Sequence, residues 1–351
     1  MRSLPVSVLC AAFALTSCPG FASPTRLFED DTILKVVLTA PITQTYDQRR
    51  DEVRLYFPGQ WTYVDNDESI QRLDVSIRTR GIFRRRNCSL PPLRLNFKKS
   101  QTKGTLFQGQ DKLKLVSPCK RGNSYQQKLI LEYLAYRALQ TLTDHSYRTR
   151  MLRLSYNDSD QKKKSWTHIT FLIEDEKNMA KRLGLKALRV PAVQPAQLDL
   201  ARTAVVELFQ LMIANSDFST LRGPEGSDCC HNVEVLAPKD AETGFIPVPY
   251  DFDASGLIDA DYAAPPEKLP IKDVRKRYFT GRCKAREHWD YAIELFQSRR
   301  GDIVALFANS NELDERIRKK SVKYIEDFYE LLDNPKRVER EIIGRCRGKK
   351  Q

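Results

Sequence analysis

The chain has 351 residues, and its 58 Lys and Arg residues against 45 Asp and Glu residues give a formal net charge of +13. Hydrophobic residues make up 41%, which excludes an intrinsically disordered chain, and only 15 glycines exclude a fibrous one. This length supports one large domain or two smaller ones, each with a hydrophobic core. The positive charge predicts an affinity for anions without deciding between nucleotide, nucleic acid, lipid headgroup and acidic glycan.

The N-terminus has the pattern of a secretory signal peptide over residues 1–22. An early positive charge precedes an apolar run over residues 4–15, which is too short to span a bilayer, and small residues follow. One predicted processing site is ordinary signal-peptide cleavage before Ser23. The alternative is residues 15–18, which resemble a bacterial lipobox and would leave Cys18 lipidated as a membrane anchor. Both processing sites predict an exported protein, either periplasmic or secreted.

Alternating apolar residues predict that the first half of the chain is rich in strands. Leu73, Val75 and Ile77 alternate with polar residues, which is the period of a half-buried strand. One helix is predicted at residues 124–142, where apolar residues recur on one helical face. The strands are predicted at residues 33–40, 52–58, 72–80, 92–97, 112–116, 149–156 and 166–174.

From residue 176 onward the pattern changes from strand to helix. Val205, Leu208 and Met212 recur at helical spacing, and two short strands then interrupt the helices. Strands followed by helices indicate an α+β chain of two lobes, a β-rich one at residues 23–176 and a mostly helical one at residues 177–351. The helices are predicted at residues 178–183, 198–214, 286–297, 302–307, 313–332 and 335–345, and the strands at residues 232–236 and 245–250.

Six cysteines lie beyond the predicted leader, and an even number in an oxidising compartment favours disulfide bonds. Sequence alone leaves 15 pairings open. We expect Cys88 to pair with Cys119, and Cys283 and Cys346 each to pair with one of Cys229 and Cys230. A zinc site at residues 229–231 is the alternative, although neighbouring side chains rarely converge on one tetrahedral ion.

The densest group of polar residues at predicted element ends lies between residues 215 and 253. Asp217 follows a helix, Asn232 opens a strand, and Asp251 and Asp253 follow the next strand. These hard oxygen ligands suit Mg²⁺, which shares its coordination shell with phosphates. Phosphoryl transfer needs such an ion to neutralise the polyphosphate, and a carboxylate to orient the attacking hydroxyl.

The order Asn-x-Asp, Asn, Asp-x-Asp resembles the CotH kinase-like family of atypical kinases, a spore-coat family related in fold to HipA and secreted kinases. The resemblance implies a two-lobed kinase-like fold. It also implies that Asp217 is the catalytic base, that Asn232 and Asp251 bind Mg²⁺, and that Asp253 is a further acidic ligand or support. The implied cofactors are Mg²⁺ and ATP or another nucleotide, and the implied acceptor is a hydroxyl of a protein or glycan.

The N-terminal half resembles the same family in the order of its motifs. An Arg-Gly turn at Arg80, a basic strand at residues 93–97 and a Leu-rich strand at residues 112–115 precede a helix. The family's turn continues with Asn and Ser, whereas this turn continues with an apolar pair and three arginines. For the phosphate-binding base we select Lys114, paired with Glu132 because a Lys–Glu pair is the usual device in kinases, with Arg94 as the alternative.

Simpler structural roles are open for these residues. Asp217 at a helix end, like Asp251 and Asp253 after a strand, is also typical of turns. His231 beside two cysteines suits a structural hydrogen bond, and the basic run at residues 84–86 suits a solvated loop. Lys114 and Glu132 are equally compatible with an ordinary surface.

Two functions from different classes follow. The first is an exported, Mg²⁺-dependent phosphotransferase that uses a nucleotide. The second is a non-catalytic envelope protein that binds an anionic ligand or partner through its basic surface, and a compartment poor in ATP favours it. Nucleic acid is not an expected partner because no recognised module is present and export argues against it.

Overall fold

The structure is a computed structural model that describes residues 26–65 and 68–348. The predicted signal peptide, with both of its predicted processing sites, lies outside these residues. The described residues contain ten strands and ten α-helices, together with short 3₁₀ turns at Arg26–Phe28, Gln48–Arg50, Pro195–Gln197 and Ile343–Arg345.

Strands with one buried face form a closed barrel in the first half of the chain. Their order is β1-β2-β3-β4-β5-β7-β6, and β6 returns to pair with β1. The closing pair is parallel, from Leu34 opposite Leu152 to Ala40 opposite Asp158, and the other neighbours are antiparallel. The seven strands of this barrel within the described chain are β1 (Leu34–Ala40), β2 (Phe57–Val64), β3 (Ile70–Thr79), β4 (Leu93–Phe97), β5 (Lys112–Val116), β6 (Thr149–Asp158) and β7 (Trp166–Ile173).

Alternate side chains of the strands fill the barrel. Trp61 is fully buried, and its ring makes edge contacts with Phe97 and Phe107 at centroid distances of 6.0 and 5.9 Å. Inward residues interleave with polar ones, as the period of a strand requires. This interior is a packed apolar core and not a channel.

Helices and a small antiparallel sheet form the rest of the molecule. The sheet has the order β10-β9-β8. Its strands are β8 (Lys186–Ala187), β9 (Val233–Ala237) and β10 (Ile246–Pro249). The helices are α1 (Ile42–Asp47), α2 (Phe83–Asn87), α3 (Lys99–Thr102), α4 (Asn123–Leu142), α5 (Glu176–Arg182), α6 (Leu200–Met212), α7 (Arg286–Ser298), α8 (Arg300–Ala308), α9 (Glu315–Leu332) and α10 (Pro335–Glu341).

A second core joins α4 to the C-terminal helices. Tyr136 of α4 packs on Phe171 of β7 and on Phe252, and Phe252 also contacts Phe209 of α6. Helix α4 therefore lies between the barrel and the helical part of the chain, and one of its faces reaches the loop that follows β10. Side chains from both predicted lobes share this core.

The prediction of a two-lobed kinase-like fold with a β-rich N-terminal lobe is wrong, because the strands close into a seven-stranded mixed barrel. Alternation of apolar and polar residues identifies a half-buried strand but carries no information on which strands pair. The sequence pattern therefore could not predict the parallel pairing of β1 with β6 that closes the barrel. The strand predicted at residues 52–58 is also misplaced. Val53 and Leu55 are exposed, and β2 begins only at Phe57.

Among the described residues, three disulfide bonds join the cysteines. The expected Cys88–Cys119 bond is confirmed. The other expected pairings are wrong, because Cys229 bonds to Cys230 and Cys283 bonds to Cys346.

Backbone pairing of the segment before α7 with the chain end explains the last disulfide, since the Cys283 amide donates to the carbonyl of Arg347. The bonded sulfurs of Cys229 and Cys230 are not the thiolates that a zinc site requires. Disulfides of this kind form in an oxidising compartment. No helix in the described parts of the chain is long and apolar enough to cross a membrane.

Candidate functional site

Asp217 is positioned by a turn that follows helix α6. The helix ends at Met212, and Ala214 then takes a positive φ of 52°, which reverses the chain. The side-chain Oδ1 of Asn215 accepts a hydrogen bond from the Asp217 amide at 3.0 Å, so Asn215 forms the turn and Asp217 projects from it. The Asp217 side chain is 50% exposed and therefore accessible to a ligand.

Two side chains from the start of β9 hold the Asp217 carboxylate. His231 Nε2 lies 2.7 Å from Oδ1, and Asn232 Nδ2 donates to Oδ2 at 3.0 Å and to the Asp217 carbonyl at 2.8 Å. The hydrogen bond to Asp217 raises the pKa of His231 above its ordinary value, and the charge of Asp251 adds to this effect. The predicted pair Asp217 and Asn232 is thus in direct contact, with His231 as a third member.

The segment after β10 alternates buried and polar side chains. Phe252 is fully buried against Tyr136 at a centroid distance of 4.6 Å, which fixes Asp251 and Asp253 on either side of it. The Asp251 amide donates a hydrogen bond to Tyr136 Oη of α4 at 2.9 Å, and Asp251 has a positive φ of 63°. The Tyr250 amide donates to the Asn232 carbonyl, which joins this segment to the Asp217 cluster.

Asp251 is half-buried, and its carboxylate has no direct partner in the described parts of the chain. Among the described residues, no hydrogen bond or ion pair within 4.0 Å reaches it. Burial, together with the negative charge of Asp253, raises the pKa of Asp251 to about 6 against the opposing pull of Arg80, Arg84 and Lys114. A desolvated carboxylate of this kind is stabilised by any cation that enters the site.

Arginines and a lysine form a basic row on the outer face of the barrel. Arg78 lies opposite Arg94 in the register of β3 and β4, and Arg94 lies opposite Lys114 in the register of β4 and β5. Like charges directly across a sheet are destabilising, so the row has a cost that the fold itself does not require. Arg80 follows at the end of β3, and the buried Nε of Arg80 has no hydrogen-bond partner within the described chain.

Lys114 lies at the β5 end of this basic row. Its Nζ lies over the rings of Tyr147 and Tyr250, 5.2 and 4.9 Å from their centroids, and the described residues provide no carboxylate within 4.0 Å of it. Burial, together with the charges of Arg80 and Arg94, lowers the pKa of Lys114 to about 8. Arg94 has a carboxylate neighbour in Asp175, with 3.5 Å between Nη1 and Oδ2.

The predicted pairing of Lys114 with Glu132 is wrong, because Arg84 takes the place of the lysine. Arg84 Nη1 bonds to Glu132 Oε2 at 2.9 Å, and its Nη2 donates to the Ser117 carbonyl at 2.7 Å. Burial lowers the pKa of Arg84, but the charge of Glu132 and other acidic neighbours raises it above its ordinary value. Glu132 is therefore a structural anchor on α4, and Arg84 is not part of a solvated loop.

Asp253 belongs to the Arg84 cluster. Tyr262 Oη donates to Asp253 Oδ2 at 2.5 Å, and Arg84 Nε lies 3.6 Å from the same oxygen. Asp253 is thus already partnered, whereas Asp251 is not. The negative charge of Asp253 contributes to the raised pKa of Asp251.

The sequence prediction missed two residues of this site, because it assigned Arg84 to a solvated loop and His231 to a structural role. It placed Arg80 on the candidate nucleotide-facing strands, together with Arg94 and Lys114. The order of elements carried a usable signal for Arg80, because it ends a strand adjacent to the strand of Arg94. Nothing in the sequence distinguishes Arg84 from Arg85, which is also buried and donates to the carbonyls of residues 49, 51 and 81.

No three His, Cys, Asp or Glu side chains of the described chain form a group that could hold a metal ion. The predicted set of Asn232, Asp251 and Asp253 contains only two carboxylates, so it stays a prediction. Comparison with protein-family models gives no match to this chain, and comparison with curated proteins gives no significant match. The resemblance to CotH kinase-like proteins over residues 33–260 likewise stays a prediction.

Proposed function

We propose that this chain is an exported phosphotransferase that binds the polyphosphate of a nucleotide and transfers a phosphoryl group, with Mg²⁺, to a hydroxyl of a protein or glycan. One observation carries the proposal. Arg80, Lys114 and Asp251 are coupled electrostatically, yet within the described residues none of them has an ion-pair partner within 4.0 Å. We propose that these unpaired opposite charges border a common space, which a ligand that contacts both can enter.

A polyphosphate suits the basic side of this space. The pKa values of Arg80 and Lys114 are both lowered by burial, and neighbouring cations contribute, so each charge is destabilised in the free protein. A bound phosphate replaces the lost solvation with charge-assisted hydrogen bonds. The half-buried ring of Tyr250 beside Lys114 supplies a flat surface for stacking of a base.

Asp217 suits the acceptor side. Its carboxylate is oriented by His231 and Asn232 and remains half exposed, so an acceptor hydroxyl can reach it. In the proposed step the acceptor oxygen bonds to the γ-phosphorus and its proton passes to Asp217. The bond from that phosphorus to the bridging oxygen breaks, and the nucleoside diphosphate leaves with the electron pair.

The residues around Asp251 fit a magnesium ion in part. The unpartnered, desolvated Asp251 carboxylate is a suitable ligand, and Asn232 has used its amide hydrogens on Asp217, which leaves its Oδ1 for a cation. Asp253 is better placed as a support because Tyr262 and Arg84 already hold it. When bound, Mg²⁺ neutralises polyphosphate charge, and water and phosphate oxygens complete its shell.

A second candidate function is anion binding without catalysis. The observation in its favour is that the amide of Asn232 and the carboxylates of Asp217 and Asp253 are already engaged with protein partners. A site that only binds needs the basic row and nothing from Asp217. The two functions therefore differ in the role of Asp217: the phosphotransferase needs it for turnover, and the anion-binding protein does not need it.

The test is a turnover assay on the mature chain with ATP and Mg²⁺, measuring ADP release and transfer of the terminal phosphate. Asp217→Asn is expected to lower turnover by about 100-fold or more while ATP affinity changes by less than about twofold. Asp240→Asn, at an exposed acidic residue in the turn between β9 and β10, is the matched control and is expected to leave turnover unchanged.

Each outcome of this assay decides between the two functions. Turnover that is lost in Asp217→Asn and kept in Asp240→Asn supports phosphotransfer. Saturable ATP binding without ADP release in the wild type supports the non-catalytic function. Equal turnover in the wild type and Asp217→Asn would contradict the role of Asp217 as the base.

A further inference from the structure

We propose that a cavity outside the candidate site, between helices α4 and α9, binds a small organic anion with an apolar body, such as an alkyl carboxylate. The cavity has a volume of about 350 Å³. Pockets that hold small organic ligands begin at about this size. Asp217, Lys114 and Asp251 do not line the cavity, so the inference goes beyond the proposed function.

The N-terminal halves of two helices build the cavity. Ser124 and Leu131 of α4 and Ile317 and Tyr324 of α9 lie seven residues apart within each pair, which places each pair on one helical face. The loop after β10 closes the third side. Gly256 permits this approach, because a Cβ there would lie 2.3 Å from the carbonyl oxygen of Val274.

The inner wall of the cavity is apolar. Leu131, Leu257, Ile258 and Tyr324 are each less than 8% exposed, and Ile317 is half-buried beside them. A wall of this composition removes an alkyl or aryl group from water without leaving polar groups unpaired. The body of the ligand is therefore expected to be apolar.

The rim of the cavity carries unpaired positive charge. Among the described residues, neither Arg316 nor Lys320 of α9 has a carboxylate within 4.0 Å. The lining carboxylates are engaged, Asp259 with Arg275 at 3.6 Å and Asp314 with the side-chain amide of Asn123 at 2.7 Å. The rim therefore attracts an anion and offers no free acid for a cation.

The start of α4 adds a second attraction for an anion. The helix has 20 residues, its N-cap is Gly122, and no side chain caps it. No acidic residue lies in its first turn. The uncapped start of α4, where Ser124 lines the cavity, therefore brings the positive end of the helix dipole to this end of the cavity. The apolar wall, the unpaired cations and the helix N-terminus all favour an anion with an apolar body.

The experiment compares octanoate with 1-octanol by saturation-transfer NMR and calorimetry on the mature chain at low salt. Both share an apolar body, and only octanoate is charged. We expect octanoate to bind about tenfold more tightly than octanol, and salt to reduce this advantage.

Three variants assign the binding to the cavity. Arg316→Gln/Lys320→Gln is expected to bring octanoate down to the affinity of octanol. Ile317→Gln is expected to weaken both ligands. Lys319→Gln is the matched control, because Lys319 is 76% exposed, pairs with Glu315 and does not line the cavity.

The inference is overturned if octanoate does not bind, if octanol binds as tightly, or if the double variant binds octanoate as the wild type does. It is supported if the double variant loses only the advantage of octanoate over octanol, whereas Ile317→Gln weakens the binding of both ligands. Circular dichroism of each variant identifies any loss of fold, and Arg316→Lys/Lys320→Arg, which keeps the charge, is expected to retain octanoate binding.

Discussion

The two faces of strands β4 and β5 differ sharply in composition and in role. Facing inward, Leu93, Leu95, Leu113 and Leu115 are fully buried in the barrel. The outward face of the same strands carries Arg94 and Lys114, which lie directly opposite each other. One face stabilises the barrel, and the other holds like charges together at a cost in stability. Because the like charges on the outward face reduce stability, we expect this face to serve binding rather than folding.

The largest expected effect comes from the inward face. Trp61→Ala removes a fully buried ring that contacts Phe97 and Phe107, and it is expected to reduce the free energy of unfolding by about 3–5 kcal/mol. Chemical denaturation measures the loss. A loss below about 1 kcal/mol would contradict a packed barrel interior.

A smaller loss of stability is expected at the anchor beside the outward face. Arg84→Met leaves Glu132 buried without its partner and is expected to cost about 3 kcal/mol. The double variant Arg84→Met/Glu132→Leu is expected to recover much of this loss, because both charges are then gone. Denaturation curves of the single and double variants provide the comparison. Equal stabilities of the two variants would show that the pair does not act as an anchor.

Lys114 is expected to affect binding and not stability. Lys114→Met removes a strained cation from the basic row, so the free energy of unfolding is expected to stay constant or rise. Affinity for pyrophosphate is expected to fall by about 10- to 100-fold, the value of one charge-assisted hydrogen bond. Lys112→Met, two residues earlier on β5 and exposed, is the control in calorimetric titration. Equal losses in both variants would indicate nonspecific charge attraction.

The smallest effect is a dependence on pH. Because the pKa of Lys114 is lowered to about 8, affinity for pyrophosphate is expected to fall several-fold as the pH rises through 8. The unfolded lysine titrates near 10.5, so between pH 8 and 10.5 the unfolded chain binds more protons. Over this range the lysine makes unfolding less favourable as pH rises. Titrations at several pH values measure the first effect, and Lys114→Met should lack the step near pH 8.

Local patterns in the sequence predicted the elements better than their assembly. Helix α6 and strand β10 lie where periodicity placed them, within two residues at each end. Val53 and Leu55 show the limit, because they alternate like a strand and yet are exposed. Barrel closure depends on pairing between β1 and β6, more than 100 residues apart, and no local pattern carries it.

The site was predictable where neighbouring elements determine it. Asp217 and Asn232 were predicted together, and they are hydrogen bonded. The partner of Glu132 was not predictable, because Arg84 reaches it from a short helix between two barrel strands. Its position on β5 favoured Lys114 as the phosphate-binding base. The strand register, which the sequence does not show, places it beside Arg94, and its Nζ lies over the rings of two tyrosines. Long-range geometry of this kind decides which charges meet.

The most direct measurement is a calorimetric titration of the mature chain with ATP and Mg²⁺ at pH 7. If the basic row and Asp251 form a polyphosphate site, the wild type binds one ATP per chain. Arg80→Gln/Lys114→Met then loses this binding, and Lys112→Met keeps it. An absence of saturable binding at millimolar ATP, or unchanged binding in the double variant, would contradict the account.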